Sequence, residues 1–298
     1  MGRLNRLQIL QHAKNTIQHD LDKFMSESSK RYITVSELQD FFRLNKAKWL
    51  LARVTTFIDF TDFLLSKEIL LKSVITLPGG RQTERFSTVE LSDYELALSI
   101  NKDSYLSHYT ALYLHDLTDN IPKTIYTNRE QTRKTVSRAE LVQDRIDFSF
   151  SRPMRKSNQI AEFNLARVYL LNGKNVDRLG VTTIQLDALT LPITSIERTL
   201  IDSCVRPDYA GGVHEVLKAF KAAKGKISVN KIVAMLKQMD YIYPYHQALG
   251  LYLEKAGYEE RLLRLVDKID KQYDFYLTYA MRDCSYSERW RLFFPNRL

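Results

Sequence analysis

Apolar side chains recur at Leu7, Leu10, Ala13, Ile17, Leu21, Phe24 and Met25, a spacing close to one helical turn that predicts an amphipathic helix over residues 4–25. A polar stretch at 26–30 ends it. Thr34-Val35-Ser36-Glu37 has the form of a capping box, with Val35, Leu38 and Phe42 as the inward stripe of a short helix. Asn45 is then placed to cap a helix over 46–57 whose inner face is Ala47, Leu50, Leu51 and Val54, continued by Ile58. Its outer face is Asn45, Lys48, Trp49, Ala52 and Thr56, with Lys46 and Arg53 on the flanks. A further short helix is expected over 61–67. Two β-prone runs follow at 69–77 and 83–89, joined by Pro78-Gly79-Gly80-Arg81-Gln82, where the glycines allow a tight hairpin turn. Helix, capped helix, basic-faced helix and hairpin is the order of a winged helix-turn-helix, which places such a domain at residues 1–90.

The remainder, residues 91–298, reads as a larger mixed α/β domain with a helical C-terminal part, an α+β chain overall. Ser107 precedes a helix over 108–115, and Thr124-Ile125-Tyr126 after Pro122 predicts a strand. Further strands are expected at 146–150, 166–171 and 180–186, with Asn172-Gly173 turning the second of these toward the third. Thr194-Ser195-Ile196-Glu197 is a second capping box, opening a helix with Ile196, Leu200 and Cys204 inward that closes before Pro207. Three helical stripes come next: Val213, Val216, Leu217 and Phe220; Val229, Ile232, Val233 and Leu236; Tyr245, Leu249, Tyr252 and Leu253. Gly257 sits where a C-terminal cap is expected, and Leu262, Val266 and Ile269 complete the series.

Composition narrows the class. With 298 residues, 44% hydrophobic, 27% charged and few glycines or prolines, the chain is neither fibrous nor disordered, and it is long enough for two cores. Cys204 and Cys284 have no metal-ligand spacing, and two cysteines suit a reducing compartment. Nowhere do about 18 apolar residues run together, so a cytoplasmic protein with no membrane partner is expected.

A formal charge of +9 favours an acidic partner, with double-stranded DNA the leading candidate. Residues 43–53 carry Arg43, Lys46, Lys48 and Arg53 and no acid, and a second basic cluster is Lys123, Arg129, Arg133, Lys134 and Arg138. The expected recognition surface is Asn45, Lys46, Lys48, Trp49 and Arg53, since such a helix needs an anchored back and a hydrogen-bonding front. The same charges also suit a solvated face that only packs. Trp49 needs a cover, which DNA, the first helix or the following domain can each supply. Arg81 and Arg85 are assigned to the wing tip, where a basic side chain can enter a minor groove.

Catalytic patterns fall short. There is no phosphate-cradling Gly-rich loop, HExxH or GxSxG in the sequence. His108 and His115 share a helix face without a third ligand. The expectation is therefore a protein that is not an enzyme, with no cofactor, metal or catalytic residue. Two alternatives stay open: a metal-dependent, defence-associated nuclease built on Asp144, Asp147, Asp177 and Glu162, and a protein-binding module whose basic face meets an acidic partner.

Several segments resemble the AbiEi family of antitoxins and transcriptional regulators. They are Ser107-His108-Tyr109-Thr110-Ala111-Leu112-Tyr113-Leu114-His115-Asp116-Leu117-Thr118 with Ile121-Pro122-Lys123-Thr124-Ile125-Tyr126; Leu171-Asn172-Gly173-Lys174-Asn175; Leu179-Gly180-Val181; and Ile196-Glu197-Arg198-Thr199-Leu200-Ile201-Asp202 with Arg206-Pro207 and Gly211-Gly212. The resemblance implies a repressor that binds the promoter of its own operon through the winged helix. It also implies a component of a type IV toxin-antitoxin, or abortive-infection, system for phage defence. Its functional partner would be a nucleotidyltransferase toxin, countered without a stable complex, with neutralisation assigned to the later domain. The helix expected at 61–67 departs from the family's compact winged helix.

Overall fold

The computed structural model describes residues 5–28, 30–133 and 140–298. The chain forms two compact units, residues 1–100 with 161–166, and residues 101–160 with 167–298. Both are mixed α/β. Among the described residues no helix is long and apolar enough to cross a membrane.

In the first unit, α1 (Arg6–Ser26) is capped by Asn5 and buries Leu10, Ile17 and Leu21. A short strand β1 (Ile33–Thr34) leads into α2 (Val35–Asn45). The expected capping box is present, with the Thr34 amide donating to Glu37 Oε2 at 2.8 Å and the Glu37 amide to Thr34 Oγ1 at 3.3 Å. The helix expected over 46–57 does not form. Residues 46–50 make turns, with the Trp49 amide donating to the Asn45 carbonyl and Leu50 at φ +52°. Instead α3 (Phe57–Ser66) begins four residues before the expected 61–67 helix, because Thr56 and Asp59 form a capping box of their own. That local hydrogen-bond set, followed by the buried Phe60, Phe63 and Leu64, starts a helix more decisively than the looser apolar spacing from Ala47 to Ile58. The hairpin is as expected: β2 (Leu71–Thr76) pairs antiparallel with β3 (Gln82–Ser87), with Gly79 and Gly80 at φ +84° and +83°. β1 pairs antiparallel with β3, α4 (Asp93–Ser99) follows, and Glu162 of β6 (Ile160–Phe163) meets Thr76 of β2. The core gathers α1, α2 and α3 around Phe41, Phe42, Trp49, Phe60 and Phe86.

The second unit holds β4 (Tyr105–Leu106), α5 (His108–Leu114), β5 (Thr124–Glu130), α6 (Gln143–Phe150), β7 (Ala166–Gly173), β8 (Val181–Leu186) and β9 (Leu189–Thr194). Its strands run β7-β5-β4-β9-β8. β5 is parallel to β7 and β4 parallel to β9, whereas β4–β5 and β8–β9 are antiparallel. Asn172-Gly173 therefore ends a strand beside β5 and does not turn β7 onto β8. The strand expected at 146–150 is helical, because Ile146 and Phe150 bury one face and Gln143 bonds Asp147 one turn on. α7 (Ile196–Val205) is capped by Ser195, one residue after the expected Thr194, and a 3-10 turn at Pro207–Ala210 follows.

α8 (Val213–Ala222), α9 (Val229–Met239) and α10 (Tyr245–Lys255) bury the three predicted stripes, and α11 (Glu260–Asp267) packs beside them. A small sheet that the apolar pattern did not reveal closes the chain: β10 (Phe275–Tyr276), β11 (Cys284–Ser287) and β12 (Leu292–Pro295), in the order β10-β12-β11. It seats Trp290, fully buried, against Gly250 of α10.

Candidate functional site

The residues assigned to a recognition helix are dispersed into different roles. Asn45 ends α2, and its amide donates back to the Phe41 carbonyl at 2.9 Å. The Lys46 ammonium donates to the carbonyls of Arg53 and Thr55 at 2.9 and 2.7 Å, latching the loop that replaces the helix. Lys48 reaches Asp20 at 2.6 Å with its side chain about half exposed. Trp49 is not on an outer face: it is buried between Phe41 and Phe60, at ring-centroid distances of 5.3 and 5.5 Å, and its indole N–H donates to Asp20 at 2.8 Å. Hydrogen bonding from Lys48, opposed by desolvation, holds the Asp20 carboxyl below its usual range.

Arg85 is also misplaced by the sequence reading. It lies within β3 opposite Ser73, where it is buried, with Nε donating to Ser99 Oγ at 3.1 Å and Nη2 to the Ser99 carbonyl at 2.8 Å. Arg53 and Arg81 are exposed and make no ion pair among the described residues. α3 contains no lysine or arginine, and Ile58, Asp62 and Ser66 are exposed on it. The expected two-sided helix is thus absent, and of the cations assigned to DNA the two exposed ones without an ion pair among the described residues lie in the α2–α3 connection and the hairpin tip.

The carboxylates considered for metal chemistry do not assemble. Asp147 accepts from Gln143 and Tyr276, and Asp177 pairs with Arg133 at 2.5 Å. Asp144 lies on α6 and Glu162 on β6. Among the described residues no group of three or more His, Cys, Asp or Glu is arranged to hold a metal ion. Of the second basic cluster, Lys134 and Arg138 lie outside the described residues.

The second unit contains a cleft of about 850 Å³, within the size range of small-molecule sites. It is built where the C-terminal ends of the parallel strands β5 and β7 meet α7: Asn128 of β5 with Gln131, Thr132 and Arg133 just beyond it, Leu171 to Asn175 at the end of β7, and Arg198, Asp202 and Arg206 from the helix and its end. Arg155, Lys156 and the rings of His108, Tyr209 and Tyr241 complete the wall. Six lining cations face two carboxylates, Asp202 and Asp240. Gly173 is required at the strand end, because its amide donates to Asn128 Oδ1 at 2.9 Å and an added Cβ would lie 2.9 Å from Asn128 Nδ2.

At the base of the cleft Arg198 Nε donates to Asp202 Oδ1 at 2.9 Å, with both side chains almost fully buried. Asp202 Oδ2 has no hydrogen-bond partner among the described residues. His108 adopts φ +50°, bonds Ser107 Oγ through Nδ1 at 2.9 Å and meets Tyr209 edge-on at 5.6 Å. Burial lowers its pKa to about 4; Asp202 opposes the shift and the Arg198 and Arg206 cations reinforce it. The ring is therefore neutral at physiological pH. His115, seven residues on, bonds the Thr194 carbonyl at 2.6 Å.

Nine of the lining residues come from segments that carry the AbiEi resemblance: His108, the run Leu171–Asn175, Arg198, Asp202 and Arg206. Arg155, Lys156, Tyr209 and Tyr241 were not singled out in the sequence; Tyr209 sits between Arg206-Pro207 and Gly211-Gly212, while no local motif surrounds the other three and only their convergence marks them.

These features define a two-unit, mixed α/β protein with an electropositive cleft in its second unit. No family model matches the chain, and no curated protein matches it in sequence. Its fold is similar to that of the crystal structure of the RV2827C protein from Mycobacterium tuberculosis, with a TM-score of 0.56 over 93% of this chain and 91% of that one at 14% identity. Identity that low supports a shared fold and nothing finer.

Proposed function

We propose that the chain is a DNA-binding autorepressor and antitoxin of the AbiEi kind, acting against a nucleotidyltransferase toxin. The observation that carries the DNA-binding half is the order α1-β1-α2-α3-β2-β3 with β1 paired to β3, which is the order of a winged helix-turn-helix. In that arrangement α3 takes the place of the recognition helix. Its exposed groups suit base edges better than phosphates: Asp62 can accept from a cytosine amino group and Ile58 can meet a thymine methyl. Phosphate contacts then fall to Arg53 and Arg81.

Fluorescence anisotropy with duplex from upstream of the gene tests this reading. Binding should weaken with salt at a log–log slope near −0.9 per phosphate contacted. Arg53→Ala with Arg81→Ala should flatten that slope by about 2, and Asp62→Asn should change sequence preference by about 1–3 kcal/mol at one base pair. A folded protein that binds no duplex at low salt refutes it. The antitoxin half is supported by the gathering of the resemblance segments around one cleft. It predicts rescue of growth on co-expression with an adjacent nucleotidyltransferase.

A second reading follows from Leu44, Leu50, Val54 and Ile58, which are 68–83% exposed around the same connection. Exposed aliphatics grouped in this way favour a protein partner. Salt-insensitive association that Leu50→Ser and Val54→Ser abolish distinguishes it from DNA binding.

A further inference from the structure

Three independent features of the second-unit cleft point to a ligand. The first is charge: Arg206 and Arg155 line it without an ion pair among the described residues, with Lys156 and Arg133 alongside and tied only to the exposed or half-exposed carboxylates Asp208 and Asp177. Guanidinium forks of this kind match phosphate oxygens. The second is an unmet acceptor: Asp202 is 5% exposed, its Oδ1 is taken by Arg198, and its Oδ2 has no donor among the described residues. A buried acceptor is normally satisfied, so a ligand that fills this corner has to bring an N–H or O–H. The third is the wall, where Tyr209, Tyr241 and the neutral His108 ring set flat apolar surface beside the cations. A cleft of about 850 Å³ is far larger than a bare phosphate needs.

We infer that this cleft binds a nucleoside 5′-phosphate, with the phosphates on Arg206 and Arg155 and the base or sugar donors directed to the Asp202 and His108 corner. Anion, flat ring and hydrogen-bond donor occur together in that ligand class and not in inorganic phosphate. The left-handed backbone at His108 is consistent with a binding corner, since such strain gathers where a site holds a residue in place. The inference uses only residues of the second unit and does not require the DNA-binding reading.

Calorimetric titration of the full chain with ATP, GTP, CTP and UTP, and separately with pyrophosphate and the four nucleosides, tests it. Saturable one-site binding of at least one triphosphate is expected. Arg206→Ala with Arg155→Ala should weaken it by at least about tenfold, the loss of one charge-assisted bond. Arg155→Ala alone, at an exposed position, should weaken it measurably, while Arg261→Ala, which does not line the cleft, should not. Arg53→Ala with Arg81→Ala should leave nucleotide binding unchanged, which separates this outcome from failure of the DNA reading. Absence of binding by all four triphosphates, pyrophosphate binding as tightly as any of them, or full retention in the folded Arg206 and Arg155 variant overturns the inference.

Discussion

Mild acid should weaken this protein through its buried and half-buried histidines, His246 and His115 among them, whose pKa burial also lowers; the share that belongs to His108 follows from that ring's surroundings. In the folded chain the imidazole is enclosed and titrates at about 4; in the unfolded chain it returns to about 6.5. Between those values the unfolded state binds the proton and the folded state does not, so stability is intact above pH 6.5 and declines as pH falls toward 4. At about pH 5 the linkage amounts to roughly 2 kcal/mol, or about 3 °C in melting temperature for a chain of this size. His108→Asn isolates the contribution, because asparagine tolerates the left-handed φ of +50° and retains a polar group near Ser107. Urea denaturation of both proteins at about pH 7.5 and about pH 5 should show the variant losing about 2 kcal/mol less on acidification, whatever its offset at neutral pH. Equal losses in the two proteins, or an NMR titration placing the His108 ring near its ordinary pKa, would refute the reasoning.

Other perturbations test the packing and the buried charges. An added methyl in Gly250→Ala would lie 2.3 Å from the Trp290 ring, which is fully buried and donates to Glu254 at 2.9 Å; thermal melts should show a loss of at least about 1–3 kcal/mol. Arg198→Ala strands the carboxylate of Asp202 in the protein interior and should cost about 3–5 kcal/mol in denaturant titrations, with partial recovery in Arg198→Ala combined with Asp202→Ala. Asp20→Ala leaves the buried Trp49 indole N–H without its acceptor, so melting should report a loss of about 1–3 kcal/mol together with a shift in tryptophan emission.

Much of the first unit was legible because its signals are local. The period of α1, the Thr34–Glu37 box and the Gly79-Gly80 turn all concern groups a few residues apart, and each appears as read. The failure between 46 and 57 has the same origin: apolar spacing alone proposed a helix, while the Thr56–Asp59 box and the aromatic run after it claimed the later residues for α3. Trp49 and Arg85 could not be placed from their neighbours in sequence. The first is covered by Phe41 and Phe60, and the second is held by Ser99, fourteen positions away.

The amino-acid sequence by itself determined the sequence of most helices, the hairpin, the charge excess and the stripes that α8, α9 and α10 bury, since each depends on periodicity or on bonds within one turn. Only the tertiary structure decided which charges are open and which are spent: Lys46 and Lys48 are engaged, Arg85 is interior, and Arg53 and Arg81 are exposed with no ion pair among the described residues. It alone brought His108, Arg206 and Tyr241 to one cleft, because the parallel pairing of β5 with β7 and the docking of α7 join residues separated by long stretches of chain. Non-local contacts of that kind leave no periodic trace along the chain.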